Sequence, residues 1–168
     1  MIFMDVETLL ELALKWLAEN PPEFPGDAPL FSPADAALLS SVRHFAGHGT
    51  EDMDVLPRVV WTVAGSGGPL VGDGIYECPL EVTVLAPPDR PEVIAALKSA
   101  LISMLCEAAL PTILPVLNAP ASGADPRPVT GFGISALAME EPGISEGRDA
   151  EKNIMGCRLS YRAWCHRE

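Results

Sequence analysis

The sequence predicts an α+β fold in which an antiparallel or mixed four-stranded sheet is covered on one face by helices. The clearest observation is the alternation of apolar and polar side chains from Tyr76 to Ala86, which is the period of a half-buried strand. A second observation is the apolar stripe at spacings of three and four between Val93 and Ala108, typical of an amphipathic helix. An apolar sheet face and an apolar helix stripe each need a partner, and each suits the other.

Two helices are predicted ahead of the sheet. Residues 5–19 carry one apolar stripe, and the prolines after Asn20 stop the helix because proline disfavours helix at its own position and at the preceding one. Residues 32–46 open with Ser32 and Pro33, an N-cap residue followed by a first-turn proline, which predicts a second helix.

Residues 57–166 are predicted to form the sheet and its long covering helix. Arg58 to Ala64 is a strand by its β-branched content, and the glycine-rich residues 65–74 are a hairpin loop. Asp89 and Glu92 resemble a capping box at the start of the long helix, which Pro111 ends. The remaining segments are a proline-rich excursion (112–129), a weaker strand (131–141), a polar loop (142–151) and a strong last strand (155–165). The order is helix, helix, strand, strand, helix, strand, strand, in a single domain of residues 1–168.

Composition and charge argue against several classes of function. The hydrophobic fraction of 48% and the charged fraction of 20% are those of an ordinary globular chain. No apolar run is long enough to span a bilayer, and the first residues lack the pattern of a secretion signal. The formal net charge is −12, and nucleic-acid binding depends on phosphate neutralisation by lysine and arginine. We therefore expect a cytoplasmic protein that binds neither membranes nor specific nucleic acid.

No motif predicts catalysis, a cofactor or a metal. His44 and His48 lie four residues apart, but no HExxH pattern surrounds them, and we interpret them as solvent-facing residues at a helix end. The glycine loop at residues 65–74 precedes a strand and not a helix, so it lacks the dipole of a phosphate cradle. The cysteines form no CxxC pair and are interpreted as structural thiols: Cys78, Cys106, Cys157 and Cys165.

Five segments form a recognisable arrangement: DVETLLELALKWLAE, LPRVVWTVAG, IYECPLEVTVLAP, RPEVIAALKSALISML and KNIMGCRLSYRAW. This arrangement resembles the tail terminator (tail-completion) proteins of long-tailed bacteriophages, and more loosely the small neck proteins that join phage head to tail. The match covers roughly residues 5–19 and 57–166. The helix at 32–46 and the excursion at 112–129 look like additions to the family's minimal pattern.

The resemblance implies a structural virion protein and not an enzyme. It implies a ring, usually hexameric, that is assembled in the host cytoplasm, caps the tail tube, stops its growth and joins it to the head connector or stopper protein. DNA would pass through the lumen without specific binding, which suits an acidic wall, although net negative charge also serves solubility. The first alternative is a neck or head-completion protein on the portal side. The second is a small ligand-binding or enzymatic domain that uses the bare sheet face.

A ring subunit needs surfaces for its neighbours, and protein interfaces favour tryptophan and arginine. The polar sheet face and the first strand offer such residues, although a purely structural role is an equal alternative for either tryptophan. The predicted partner-contacting residues are Trp61, Glu77, Glu81, Arg158, Arg162 and Trp164.

Overall fold

The computed structural model describes residues 6–24, 31–47, 55–63, 75–119, 132–151 and 153–167, with the side chains of Phe132 and Arg167 left out. Within these ranges it contains four α-helices and five strands, which confirms the α+β class. The helices are α1 (Val6–Glu19), α2 (Pro33–Ser41), α3 (Pro91–Leu105) and α4 (Leu110–Asn118), with a 3-10 turn at Glu107–Ala109. The strands are β1 (Arg43–Ala46), β2 (Arg58–Val63), β3 (Ile75–Ala86), β4 (Phe132–Asp149) and β5 (Ile154–Arg167).

The strands form one mixed sheet in the order β1-β2-β3-β5-β4. β1 is parallel to β2, and the other neighbours are antiparallel. β3 and β5 pair from Ile75 opposite His166 to Ala86 opposite Met155, so their side chains alternate in step between the two faces. The sheet is therefore mixed, as the sequence allowed, with one strand more than predicted.

The core lies between one face of the sheet and the helices. The predicted stripe of α3 is buried at Ile94, Leu97 and Leu101, and α1 buries Leu10 and Leu14 in the same cluster. Each fully buried leucine or isoleucine contributes about 1.5–3 kcal/mol relative to an exposed one. On the opposite face Arg58, Val60 and Thr62 of β2 are also buried, whereas the charged residues of β3 and β5 are partly or fully exposed.

The fifth strand, β1, occupies residues that were predicted to continue the second helix. The N-cap prediction is confirmed, because Ser32 Oγ accepts from Asp35 N at 3.1 Å and Asp35 Oδ2 accepts from Ser32 N at 3.0 Å. The prediction that helix continues to residue 46 is wrong, because Val42 adopts an extended conformation at φ −92° and ψ 160°. Pairing with β2 satisfies the β1 backbone, and this pairing is not local in sequence.

Three predictions between β3 and β5 are also corrected. The N-cap of α3 is Arg90 and not Asp89, and its side chain makes no capping hydrogen bond. Pro111 does not end the long helix, because α3 already ends at Leu105 and Pro111 lies in the first turn of α4, where proline is tolerated. The excursion predicted for residues 112–129 is therefore helical as far as Asn118, and its residues 120–129 lie outside the described ranges.

Residues 142–149 were predicted as a loop and instead continue β4. The strand pairs with β5 on both sides of a register shift between Met139 and Ile144. A bulge of this kind absorbs Pro142 and Gly143, which a regular central strand would not accommodate, and β4 lies at the sheet edge where such bulges are common. The predicted hairpin loop at 65–74 lies outside the described residues.

Among the described helices none is by itself long and apolar enough to cross a membrane; α3 together with Glu107–Asn118, bent by 56° at the break, passes the same test of length and composition.

Candidate partner-binding face of the sheet

The sheet face that points away from the helices, here called the outer face, collects five of the six predicted partner-contacting residues. The register places Glu77 opposite Trp164, and the core-facing neighbours Cys78 and Ala163 opposite each other. Because side chains alternate along both strands, the other predicted residues on β3 and β5 share the face of Glu77 and Trp164. These are Glu81, Arg158 and Arg162.

Arg162 connects three strands across the outer face. Its Nε donates to Glu140 Oε1 on β4 at 2.9 Å, and one of its terminal nitrogens donates to Glu77 Oε1 on β3. The hydrogen bonds to Glu140 and then to Glu77 raise the pKa of the guanidinium, so the residue stays charged. The Arg162 side chain is 44% exposed, compared with 21% for Glu77, so the cation stands above the carboxylate that holds it.

Arg158 is held more loosely. Its Nε lies 3.7 Å from Glu81 Oε2, beyond hydrogen-bond distance, and its side chain is 56% exposed. Arginine carries five N–H donors, and the atom of Arg158 nearest to Glu81 is Nε, so the two terminal nitrogens are not the atoms engaged there. The outer face therefore presents guanidinium groups to a partner in a chain that is acidic overall.

Trp61 is not part of the outer face. It lies opposite Val82 in the core, is fully buried, and its Nε1 donates to Nδ1 of His44 at 3.1 Å. Its predicted partner-contacting role is therefore contradicted, because a buried indole offers no surface, and the structural role is the one it has.

The prediction that His44 faces solvent is wrong. His44 is buried in β1, and its Nε2 lies 2.6 Å from the carbonyl oxygen of Leu39. Because the Trp61 indole N–H is only a donor, Nδ1 must be the acceptor, so Nε2 carries the proton and donates to Leu39. Burial lowers the pKa of His44 and keeps the ring neutral. His48 lies outside the described residues.

The cysteines are free thiols, and Cys78, Cys157 and Cys165 are buried as predicted. Burial raises the pKa of the Cys157 thiol, which makes it a poor nucleophile. His166 is exposed and its Nδ1 lies 3.1 Å from Ser135 Oγ, on the other side of β5 from Cys165. In the described part of the chain no group of three or more candidate ligands could hold a metal ion.

Sequence reasoning did not identify Glu140 as part of this face. Only the β4–β5 pairing brings it to Arg162. Alternation on one strand could have placed it on a face but not beside a particular arginine.

No protein-family model matches the chain, and no curated protein matches it. A chain in the virion of a native gene transfer agent particle is similar over 95% of this chain and 95% of its own length, with 13% sequence identity and a TM-score of 0.47.

Proposed function

We propose that this protein is a structural virion component that forms a ring at the head–tail junction of a phage-like particle. In this role it caps the tail tube, stops its growth and joins it to the head connector, and the outer face contacts neighbouring subunits or the adjoining ring. The observation that carries the proposal is the exposed charged part of the outer face on β3, β4 and β5, where Arg162 joins Glu77 and Glu140, in a sheet whose other face is covered by helices.

The outer face has the chemistry of a protein interface. Arginine and tryptophan are the residue types most often responsible for binding energy, and Arg158, Arg162 and Trp164 lie together on β5. The carboxylates of Glu77 and Glu140 hold Arg162 in one orientation before any partner arrives. A side chain that is already ordered loses less conformational entropy on binding, so the face is suited to docking.

The charge of the chain suits a wall that DNA passes. With 23 acidic and 11 basic residues, the surface offers phosphates few cations, and each cation in the wall would add a phosphate contact. Ring formation follows if the contact between copies is heterologous and closes on itself, as it does in cyclic oligomers. We expect a hexamer, with the tail-tube protein on one side and the connector or stopper on the other.

The test is an assembly assay with a matched arginine control. Purified wild-type protein, Arg162→Ala and Arg90→Ala are compared by size-exclusion chromatography with light scattering, and by binding to purified tail tubes. Arg90 is an exposed arginine with a carboxylate neighbour, Glu92 at 3.5 Å, at the start of α3 and away from the outer face. We expect rings for wild type and Arg90→Ala and impaired assembly for Arg162→Ala.

Two results would count against this role. Wild-type protein that stays monomeric at high concentration and does not bind tail tubes contradicts the proposal altogether. Binding to portal rings and not to tail tubes indicates instead a neck or head-completion protein, for which the same outer face would serve.

A further inference from the structure

A polar depression lies on the outer face, at the end of the sheet where β4 and β5 approach their connecting turn. Its volume is about 320 Å³. It exists because two glycines, Gly147 and Gly156, face each other across the strands, so that one row of side chains is missing. A Cβ atom on Gly156 would lie 3.1 Å from Leu85 Cδ2, whereas one on Gly147 would meet no other atom within 4 Å. The open space is therefore above Gly147.

Three hydrogen-bonding side chains border the depression in one row. The register places Thr83 on β3 and Ser145 on β4 directly on either side of Arg158 on β5. A guanidinium flanked by two hydroxyl groups is a set of donors suited to a carboxylate, which arginine binds through parallel hydrogen bonds.

The other walls favour a carboxylate carried on an alkyl stem over a free ion or a polyanion. Leu85 and Ile154 line the depression with apolar surface, and Ile154 is only 6% exposed. Asp149 also lines it on the outer face, and its carboxylate opposes the dense charge of a nucleic-acid backbone. Glu146 is held by Lys98 Nζ at 2.8 Å, on the helix side of β4.

We propose that this depression receives an acidic side chain from a second copy of this chain, with Arg158 as the principal donor. The inference rests on the proposed ring function and identifies the contact between its subunits. A copy of this chain offers many carboxylates and few cations to hold them, since acidic residues outnumber basic ones by 23 to 11. Copies with a net charge of −12 repel each other, and a contact that pairs opposite charges offsets part of that repulsion.

Arg158 has the freedom that this contact requires. Its distance of 3.7 Å from Glu81 is not a hydrogen bond, so turning to a new carboxylate breaks none there. A ring contact joins two different patches, so the acidic residue that enters the depression lies on another surface of the neighbour.

The experiment fills the depression without disturbing the fold. Gly147→Val places a branched side chain in open space on a strand, and Gly147 does not have a positive φ, so the backbone accepts it. Ala96→Val is the matched control, since it adds a valine at an exposed position of α3 on the helix side. Arg158→Lys keeps the charge but removes the fork. Each variant is compared with wild type by sedimentation velocity over a range of protein and salt concentrations.

We expect Gly147→Val and Arg158→Lys to weaken self-association about tenfold or more, the loss typical of removing an important interface group. Ala96→Val should associate like wild type, and wild-type association should weaken as salt is raised. Circular dichroism and thermal unfolding verify the fold of each variant. If Gly147→Val does not fold, Arg158→Lys decides the outcome alone.

The failures are distinguishable. If rings form equally well in wild type, Gly147→Val and Arg158→Lys, the inference is overturned and the proposed function stays intact. If Gly147→Val weakens association but neither salt nor Arg158→Lys affects it, the proposed contact between Arg158 and a carboxylate is overturned. Wild-type protein that never associates and ignores tail tubes overturns the proposed function, and the inference with it.

Discussion

Protonation of His44 should destabilise the fold, because both ring nitrogens are engaged in a way that only the neutral ring permits. Nε2 donates to the Leu39 carbonyl at 2.6 Å, and Nδ1 accepts from the Trp61 indole at 3.1 Å. A second proton on Nδ1 would face the indole N–H and break that hydrogen bond. Of the charged groups that act on the ring, Glu19 favours the proton and Lys15 opposes it, but burial has the largest effect and lowers the pKa of His44.

The direction of the pH dependence follows from this lowered pKa. An unfolded histidine has a pKa of about 6.5, so below that pH the unfolded chain binds a proton that the folded chain does not. The stabilisation is complete above about pH 6.5 and is lost as the pH falls, until the pKa of the folded state is reached. One proton corresponds to a loss of about 1.4 kcal/mol in the free energy of unfolding for each pH unit in that window.

The assay is urea unfolding monitored by tryptophan fluorescence, at about pH 7.5 and about pH 5.5, the two sides of the ordinary histidine pKa. His44→Gln removes the titrating group and should lower the pH dependence by the amount attributed to His44. Trp61→Phe removes the opposing donor, so Nδ1 can accept a proton; this variant should lose about 1–3 kcal/mol at neutral pH and also show a weaker pH dependence. His48 and His166 are present in every variant, so the differences report on His44. Equal pH dependence in wild type and His44→Gln would refute the reasoning.

Three further predictions concern buried or capping hydrogen bonds. In urea unfolding, Glu11→Ala should cost about 1–3 kcal/mol of unfolding free energy, because Glu11 Oε1 accepts from the Val63 backbone N–H at 3.0 Å in the core. Glu11→Gln retains an acceptor and should cost less. Asn118→Ala should lower the thermal midpoint by a similar free energy, because the Asn118 amide makes two hydrogen bonds to the Ile134 backbone, at 2.7 and 2.9 Å; an unchanged midpoint would show that those bonds contribute nothing net. Ser32→Ala removes the capping box of α2 and should cost about 0.5–2 kcal/mol by calorimetry, while Ser32→Asp should restore most of it.

The elements with a strong local period were predictable from the sequence. β3, β5 and α3 each alternate or repeat with a clear apolar side, so their existence and buried faces follow from side-chain geometry alone. That same alternation placed the four charged members of the predicted interface, and Trp164, on one face of the sheet. β2 is different, because all six of its residues are buried. Burial therefore does not alternate along β2, but side-chain polarity does: Arg58 and Thr62 lie on one side, and Trp61 lies on the apolar side with its neighbours two residues away, which is a local indication that Trp61 points into the core.

The features decided by tertiary structure all depend on pairing between distant segments. β1 exists because residues 43–46 pair in parallel with β2, which also brings His44 to Trp61. Glu140 meets Arg162, and Gly147 meets Gly156, only through the register of β4 on β5 across a bulge. A backbone hydrogen bond between segments far apart in sequence produces no periodic pattern of residue types in either segment. The sequence by itself therefore determined which side chains share a face, whereas the tertiary structure decided which of them became neighbours.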